Sequence, residues 1–163
     1  MADNILLRLG DTIKGESPIA GYEDWIQIHG WSWGATQSGT THEGMGGGSG
    51  KVSVQDLNIT KFVDASTHDL VKHVCNGKHI PNAELIVMKA GGDTPVVYFK
   101  LLLTDLLISS YQTSGARDGL ERVTESVSIN FAKFEVTYTK QEMDGAAGPE
   151  SSAGWDIRRN EAV

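Results

Sequence analysis

Two stretches of this sequence hold residues whose types and spacing do chemistry elsewhere. The first, Gly44-Met45-Gly46-Gly47-Gly48-Ser49-Gly50-Lys51, carries the glycines and lysine of a phosphate-cradling loop. That pattern needs glycine five residues before Gly50, where Met45 stands, and Ser or Thr after Lys51, where Val52 stands. Without the hydroxyl there is no Mg²⁺ ligand, and no helix follows to offer its N-terminus to an anion. The stretch reads as a flexible loop. The second, His73-x-Cys75-x-x-x-His79, gathers soft ligands. A helix here separates His73 from Cys75 and ends before His79, whereas structural zinc sites want four ligands at tighter paired spacing. Cys75 then reads as a small buried hydrophobe. No Gly-x-Ser-x-Gly elbow is present, and the scattered carboxylates pair no acid with a base. The expectation is no catalytic residue, no metal and no cofactor.

The elements that hold these stretches are mostly strands. Apolar runs rich in Val, Ile, Leu, Phe and Tyr lie between turn residues near Asn4–Leu9, Trp25–Gln37, Lys51–Val63, Ala83–Lys89, Val96–Tyr111 and Val123–Thr139. One segment has helical spacing. Ser66 is placed as N-cap with Asp69 in the first turn, Leu70, Val71, Val74 and Cys75 form an apolar face, and Gly77 supplies a left-handed stop. Residues Glu142–Ala153 and Asn160–Val163 read as a tail, mobile or dependent on a partner.

Three strands change the phase of their alternation. Ile26 and Ile28 give way to Trp31 and Trp33, Val52 and Val54 to Leu57 and Ile59, and Val127, Ile129 and Phe131 to Phe134, Val136 and Tyr138. A slip of one residue marks a bulge, or a strand passing from one wall of a core to another. Three such slips predict a strongly curled sheet, closed or nearly closed as a barrel. Val96–Ile108 is apolar on both parities and needs cover on both sides, from the helix or from another subunit.

At 163 residues the chain makes one core, a single domain over 1–163. With 14 Lys+Arg against 21 Asp+Glu, its net charge of −7 disfavours nucleic acid and anionic lipid. No run is long enough to span a bilayer as a helix, and the N-terminus lacks the basic region of a Sec-type signal peptide. A single cysteine allows no intrachain disulfide.

Taken in order, several blocks resemble the haemolysin-coregulated protein (Hcp) family, the tube proteins of bacterial type VI secretion. They are Trp31-Ser32-Trp33-Gly34, the glycine-rich loop running into Lys51–Leu57, Thr60–Asp64 before Ser66-Thr67, and Cys75-Asn76-Gly77-Lys78-His79. Lys89-Ala90-Gly91-Gly92, Thr124–Ala132 and Gly154-Trp155-Asp156-Ile157-Arg158 complete the set, which covers nearly the whole chain. The resemblance implies a mainly β fold: a β-barrel of two packed antiparallel sheets with one short flanking α-helix and an extended glycine-rich loop over about 38–50. A flexible tail from about 142 is expected.

It also implies a structural subunit and no enzyme. Six copies form a homo-hexameric ring, rings stack into a tube, and the tube carries effectors alongside sheath and spike-tip proteins. The chain is then expected to be cytoplasmic before assembly and secreted without a cleavable signal peptide. The loop, with Thr41, His42, Glu43, Met45, Gly46 and Gly47, is expected to reach neighbouring subunits or the adjoining ring. Gln27, His29 and Ser32, opposite the apolar side of their strand, are the expected lumen and cargo contacts. Leu101, Leu102 and Leu103 are the expected interface strand. The alternative is a monomeric β-barrel carrier of an apolar small molecule, though Trp31, Trp33, Phe131 and Phe134 are large enough to fill such a core.

Overall fold

In the computed structural model, which describes residues 4–38, 51–89, 94–117 and 122–163, the strands form one nine-stranded antiparallel sheet and a two-stranded one. β1 (Asn4–Leu9) pairs with β7 (Ile80–Lys89), and β7 with β8 (Val96–Ser114). β8 pairs with β9 (Thr124–Gln141), and β9 with β6 (Leu57–Phe62). The segment from β2 (Ile26–Gln27) to β3 (Gly30–Ser32) closes the circuit. Its first half pairs with β1 and its second half with β6. The phase slip at His29-Gly30 is this change of partner. The slip at Gln55-Asp56 divides β5 (Ser53–Val54), which pairs with β4 (Ala35–Thr36), from β6.

β8 and β9 switch faces together. Leu101 and Leu103 enter the core before the switch, and Leu106 and Ile108 after it. Asp105 takes a φ of +52 at this point, a left-handed conformation uncommon outside glycine. Opposite, Phe134 pairs with Leu103 and Phe131 with Leu106, so the slip read in the last strand mirrors the one in β8. The core they enclose also holds Leu7, Leu9, Ile26, Leu57, Ile59, Leu85, Val127 and Ile129.

The outer side of β1, β7 and the start of β8 has its own cover. Leu6, Ile86 and Met88 form a second buried cluster beneath Ile19, Tyr22, Trp25 and Val97. The second cover at this end of the apolar strand is therefore the chain's own segment before β2. Gly15 anchors it: its N–H donates to the Asp24 carbonyl at 2.7 Å, and a Cβ there would lie 2.6 Å from Ile26 Cα. Farther along β8 the two parities separate. Leu101 and Leu103 are 0% and 1% exposed, while Leu102 points outward and is half-buried. Of the three leucines expected at an interface, the alternation of the strand leaves only Leu102 for a neighbour.

The helix α1 spans Thr67–Asn76 and ends at Gly77 with φ +64. Ser66 stands at its N-cap without a side-chain cap bond. Its N–H and hydroxyl both turn back to Asp64 Oδ1, at 2.8 and 2.5 Å. The inward face is Leu70 and His73, with Val74 packed on the core. Cys75 is exposed, contrary to its reading as a buried hydrophobe, because the buried stripe runs one position earlier along the helix.

The C-terminal part differs from the expected tail. β10 (Ala147–Asp156) pairs with the second half of β9, and β11 (Glu161–Ala162) pairs with the end of β10. The reason is an open edge: β6 covers β9 only from Thr124 to Ile129, leaving the residues beyond it free to accept a strand. Thr41, His42, Glu43, Met45, Gly46 and Gly47 of the glycine-rich loop lie outside the described residues.

Candidate functional site

The outward face of β3, β6, β9 and β8 carries two rows of side chains in register. One row runs Ser32, Asn58, Ser128, Ser110, and the next Gly30, Thr60, Ser126, Gln112. Every side chain in these rows is polar and uncharged, in a chain with 21 Asp+Glu. Period-2 alternation produces the face, because the intervening residues Trp31, Ile59 and Val127 turn to the core. Ser128 Oγ donates to Asn58 Oδ1 at 2.5 Å, and Thr60 Oγ1 to the Gly30 carbonyl at 3.4 Å. Gly30 lets the two strands cross closely, since a Cβ there would lie 2.9 Å from Thr60 Oγ1 and the threonine side chain would have to move. Hydroxyls and amides of this kind hold water and offer neutral hydrogen bonds to a passing surface.

The expected lumen residues divide between this face and its end. Ser32 lies in the first row. His29 packs its ring 5.1 Å from Phe62, over which the Arg122 guanidinium sits at 5.2 Å. Gln27 lines the adjoining hollow with Glu16, Pro18, Val63, Arg122 and Val123. All three are exposed. At the other end of the rows, Asp56 accepts from Ser109 Oγ at 2.7 Å and from Asn130 Nδ2 at 2.8 Å.

Sequence reasoning missed a buried ionic cluster beneath this face. Lys61 and Glu125 stand opposite each other on β6 and β9, each 1% exposed, and their side chains form an ion pair. Lys61 Nζ also reaches Asp64 Oδ1 at 3.0 Å and donates to the Phe62 carbonyl at 3.0 Å. The Tyr111 hydroxyl donates to Glu125 Oε1 at 2.5 Å. An acid is thus paired with a base after all. Its trace is visible in the sequence, since Lys61 continues the inward parity of Leu57 and Ile59, and Glu125 begins that of Val127 and Ile129. The cluster ties two strands and the entry to α1 together.

Burial and the Glu125 carboxylate push the Tyr111 hydroxyl up to about 12. The unfolded chain releases this proton nearer 10, so Tyr111 stabilises the fold fully below pH 10 and loses that contribution as pH rises toward 12. Tyr111→Phe is expected to flatten this part of the profile, as read from denaturant midpoints of both proteins at pH 9 and pH 11.5. An unchanged alkaline slope would remove Tyr111 from the account.

The metal-like spacing does not converge. His73 is buried and its Nδ1–H donates to the Asp69 carbonyl at 2.7 Å, Cys75 is exposed, and His79 engages Asp105. Arg158 meets the other Asp105 oxygen at 3.0 Å. The His79 hydrogen bond holds the Asp105 carboxyl below its usual range. No group of three or more metal-ligating side chains occurs among the described residues.

Comparison with known proteins places this architecture among relatives. The family model described as "Type VI secretion system effector, Hcp" matches residues 6–138. Protein hcp1 of Pseudomonas aeruginosa is 45% identical over 161 residues, covering 98% of both chains. A solved type six secretion system protein superposes with a TM-score of 0.92 at 29% identity, over 99% of this chain and 100% of that one. Hcp1 of Salmonella typhimurium gives a TM-score of 0.83 at 33% identity, over the whole of both chains.

Proposed function

This chain belongs to the Hcp family, the tube proteins of type VI secretion, and we propose that six copies close into a ring whose lumen is lined by the neutral polar rows. The family is structural and not an enzyme family, and its members assemble with secretion partners and are themselves secreted. No helix among the described residues is long and apolar enough to cross a membrane.

In this reading the chain is made in the cytoplasm and leaves through the machine. Rings stack into a tube that carries effectors and meets sheath and spike-tip proteins. The observation that carries the lumen assignment is the pair of uncharged rows through Ser32, Asn58, Ser128 and Thr60, Ser126, Gln112. Neutral hydroxyls and amides hold a folded cargo through weak, partly water-mediated bonds and still release it. His29 and Gln27 stand at the mouth of this face. The outward Leu102, placed across from Glu84 and Glu135, serves contact with a neighbouring copy. The loop residues Thr41, His42, Glu43, Met45, Gly46 and Gly47 serve contacts between subunits or rings. No catalysis enters this role.

The carrier alternative needs an apolar cavity, and here Trp31, Trp33 and Phe134 pack on the buried Phe131 cluster. Ser128→Arg tests the lumen assignment by placing a long cation in the centre of the rows. The variant is expected to fold and form rings, while export of a co-expressed effector falls at least tenfold. Export unchanged, with rings intact, would move the cargo surface elsewhere.

A further inference from the structure

We propose that Asn76-Gly77 is a self-modification site, at which the chain slowly converts its asparagine into a β-linked aspartate and so loosens the exit of α1. The reaction belongs to the single chain and stands apart from the ring reading. The chain has six asparagines, and only Asn76 precedes a glycine. Ile5, Ile59, Ala83, Phe131 and Glu161 follow the others, each with a Cβ that crowds the backbone nitrogen an attack must use. Gly77 has no Cβ to crowd it. Asn4, Asn58, Asn82 and Asn130 also lie within strands, whereas Asn76 and Gly77 are exposed at the end of α1.

The geometry prepares the side-chain carbonyl. Lys78 N–H donates to Asn76 Oδ1 at 2.8 Å, which draws electrons from Cγ and stabilises the oxyanion formed when a nucleophile adds there. Gly77 N–H donates to the His73 carbonyl at 3.0 Å, and this bond holds the nucleophile back. It closes the last turn of the helix, where local opening costs least. Once it opens and hydroxide takes the N–H proton, the Gly77 nitrogen attacks Asn76 Cγ and ammonia leaves, giving a five-membered succinimide. Water then adds to one of the two ring carbonyls. Addition at the former main-chain carbonyl breaks its bond to the Gly77 nitrogen. The chain then runs through Cβ and Cγ, one carbon longer, with a free carboxylate beside it. Addition at Cγ gives ordinary aspartate. The balance is one water consumed and one ammonia released, with no change of oxidation state.

The extra carbon separates Gly77 from the helix, whose stop at φ +64 and cap bond to His73 depend on ordinary spacing. The new carboxylate stands at the negative end of the helix dipole, where an anion is unfavourable. Two residues on, His79 holds Asp105 at 2.7 Å, and Asp105 holds Arg158 at 3.0 Å. The change therefore reaches the bend of β8 and the turn after β10.

The test ages the whole chain at pH 8 and 37 °C, folded and in urea, and follows tryptic peptides by mass spectrometry against an unaged control. Cleavage at Lys72 and Lys78 places Asn76 in peptide 73–78, and every other asparagine falls in a peptide of its own. In the folded protein, the mass gain that marks amide turned to acid is expected in peptide 73–78 at ten times or more the rate at any other asparagine. The product is expected as two chromatographic species, the larger of which does not co-elute with the same peptide from Asn76→Asp. Asn76→Asp carries the charge without the extra carbon, so the aged protein is expected to unfold at lower urea than this variant. Conversion confined to the urea-unfolded chain, or no faster than at the other asparagines, overturns the proposal. A product that co-elutes wholly with the Asn76→Asp peptide overturns the β-linkage, and equal urea midpoints overturn the loosening of α1.

Discussion

Lys61→Met is expected to cost about 3–5 kcal/mol of folding stability, the largest loss of any single change outside the apolar core. The substitution leaves the Glu125 carboxylate 1% exposed, with the Tyr111 hydroxyl as its remaining side-chain partner among the described residues. Asp64 loses a cation at the same time, and with it goes part of what fixes the turn into α1. The double variant Lys61→Met with Glu125→Met is expected to recover much of the loss, since paired apolar side chains can replace a buried ion pair at little cost. A double-mutant cycle from urea midpoints at pH 7 measures this. Additive losses, with no coupling between the two positions, would mean that the pair does not hold β6 to β9.

Leu103→Asp and Leu102→Asp are expected to fail in different ways although the residues are adjacent. Leu103 packs against Phe134 and its cluster at 1% exposure, so a carboxylate there is buried without a partner and the chain should not fold. Leu102 faces outward, across from Glu84 on β7 and Glu135 on β9. Glu84 is paired with Arg8 and Lys100, so an aspartate there adds negative charge chiefly beside Glu135 and should spoil a neighbour's approach while sparing the fold. Circular dichroism with size-exclusion chromatography distinguishes the two. The expected pair is an unfolded or aggregated Leu103→Asp and a folded, lower-mass Leu102→Asp. A Leu102→Asp protein of unchanged assembly would remove this strand from the interface.

Much of the fold was legible because alternation reports burial directly. β1 has the bounds its apolar run suggests, and the three phase slips mark where the chain changes partner or face. The helix ends at the glycine that sequence alone would choose. What escaped has physical causes. Ala147–Asp156 reads A-G-P-E-S-S-A-G-W-D, with little apolar pattern, and becomes a strand because β9 offers it an open edge. The cover over Leu6, Ile86 and Met88 comes from a segment without regular structure, whose residues Ile19, Tyr22 and Trp25 recur every third position and so match no strand alternation. Cys75 lies on the exposed side because the buried stripe runs through Leu70 and His73, one position of helical phase earlier than Leu70, Val71, Val74 and Cys75 suggest.

The candidate site was only partly legible for a related reason. Ser32 could be placed outward by parity, yet its companions Asn58, Ser128 and Ser110 are joined to it by strand register, which no single strand reveals. Lys61 and Glu125 each stand in the sequence as a charge on an apolar parity, and the register of β6 on β9 is what sets them opposite each other.

A native mass spectrum of the intact chain at micromolar concentration tests the central claim most directly. The account predicts a dominant species with the mass of six chains, persisting at neutral pH without any partner protein. A strict monomer under the same conditions would contradict it.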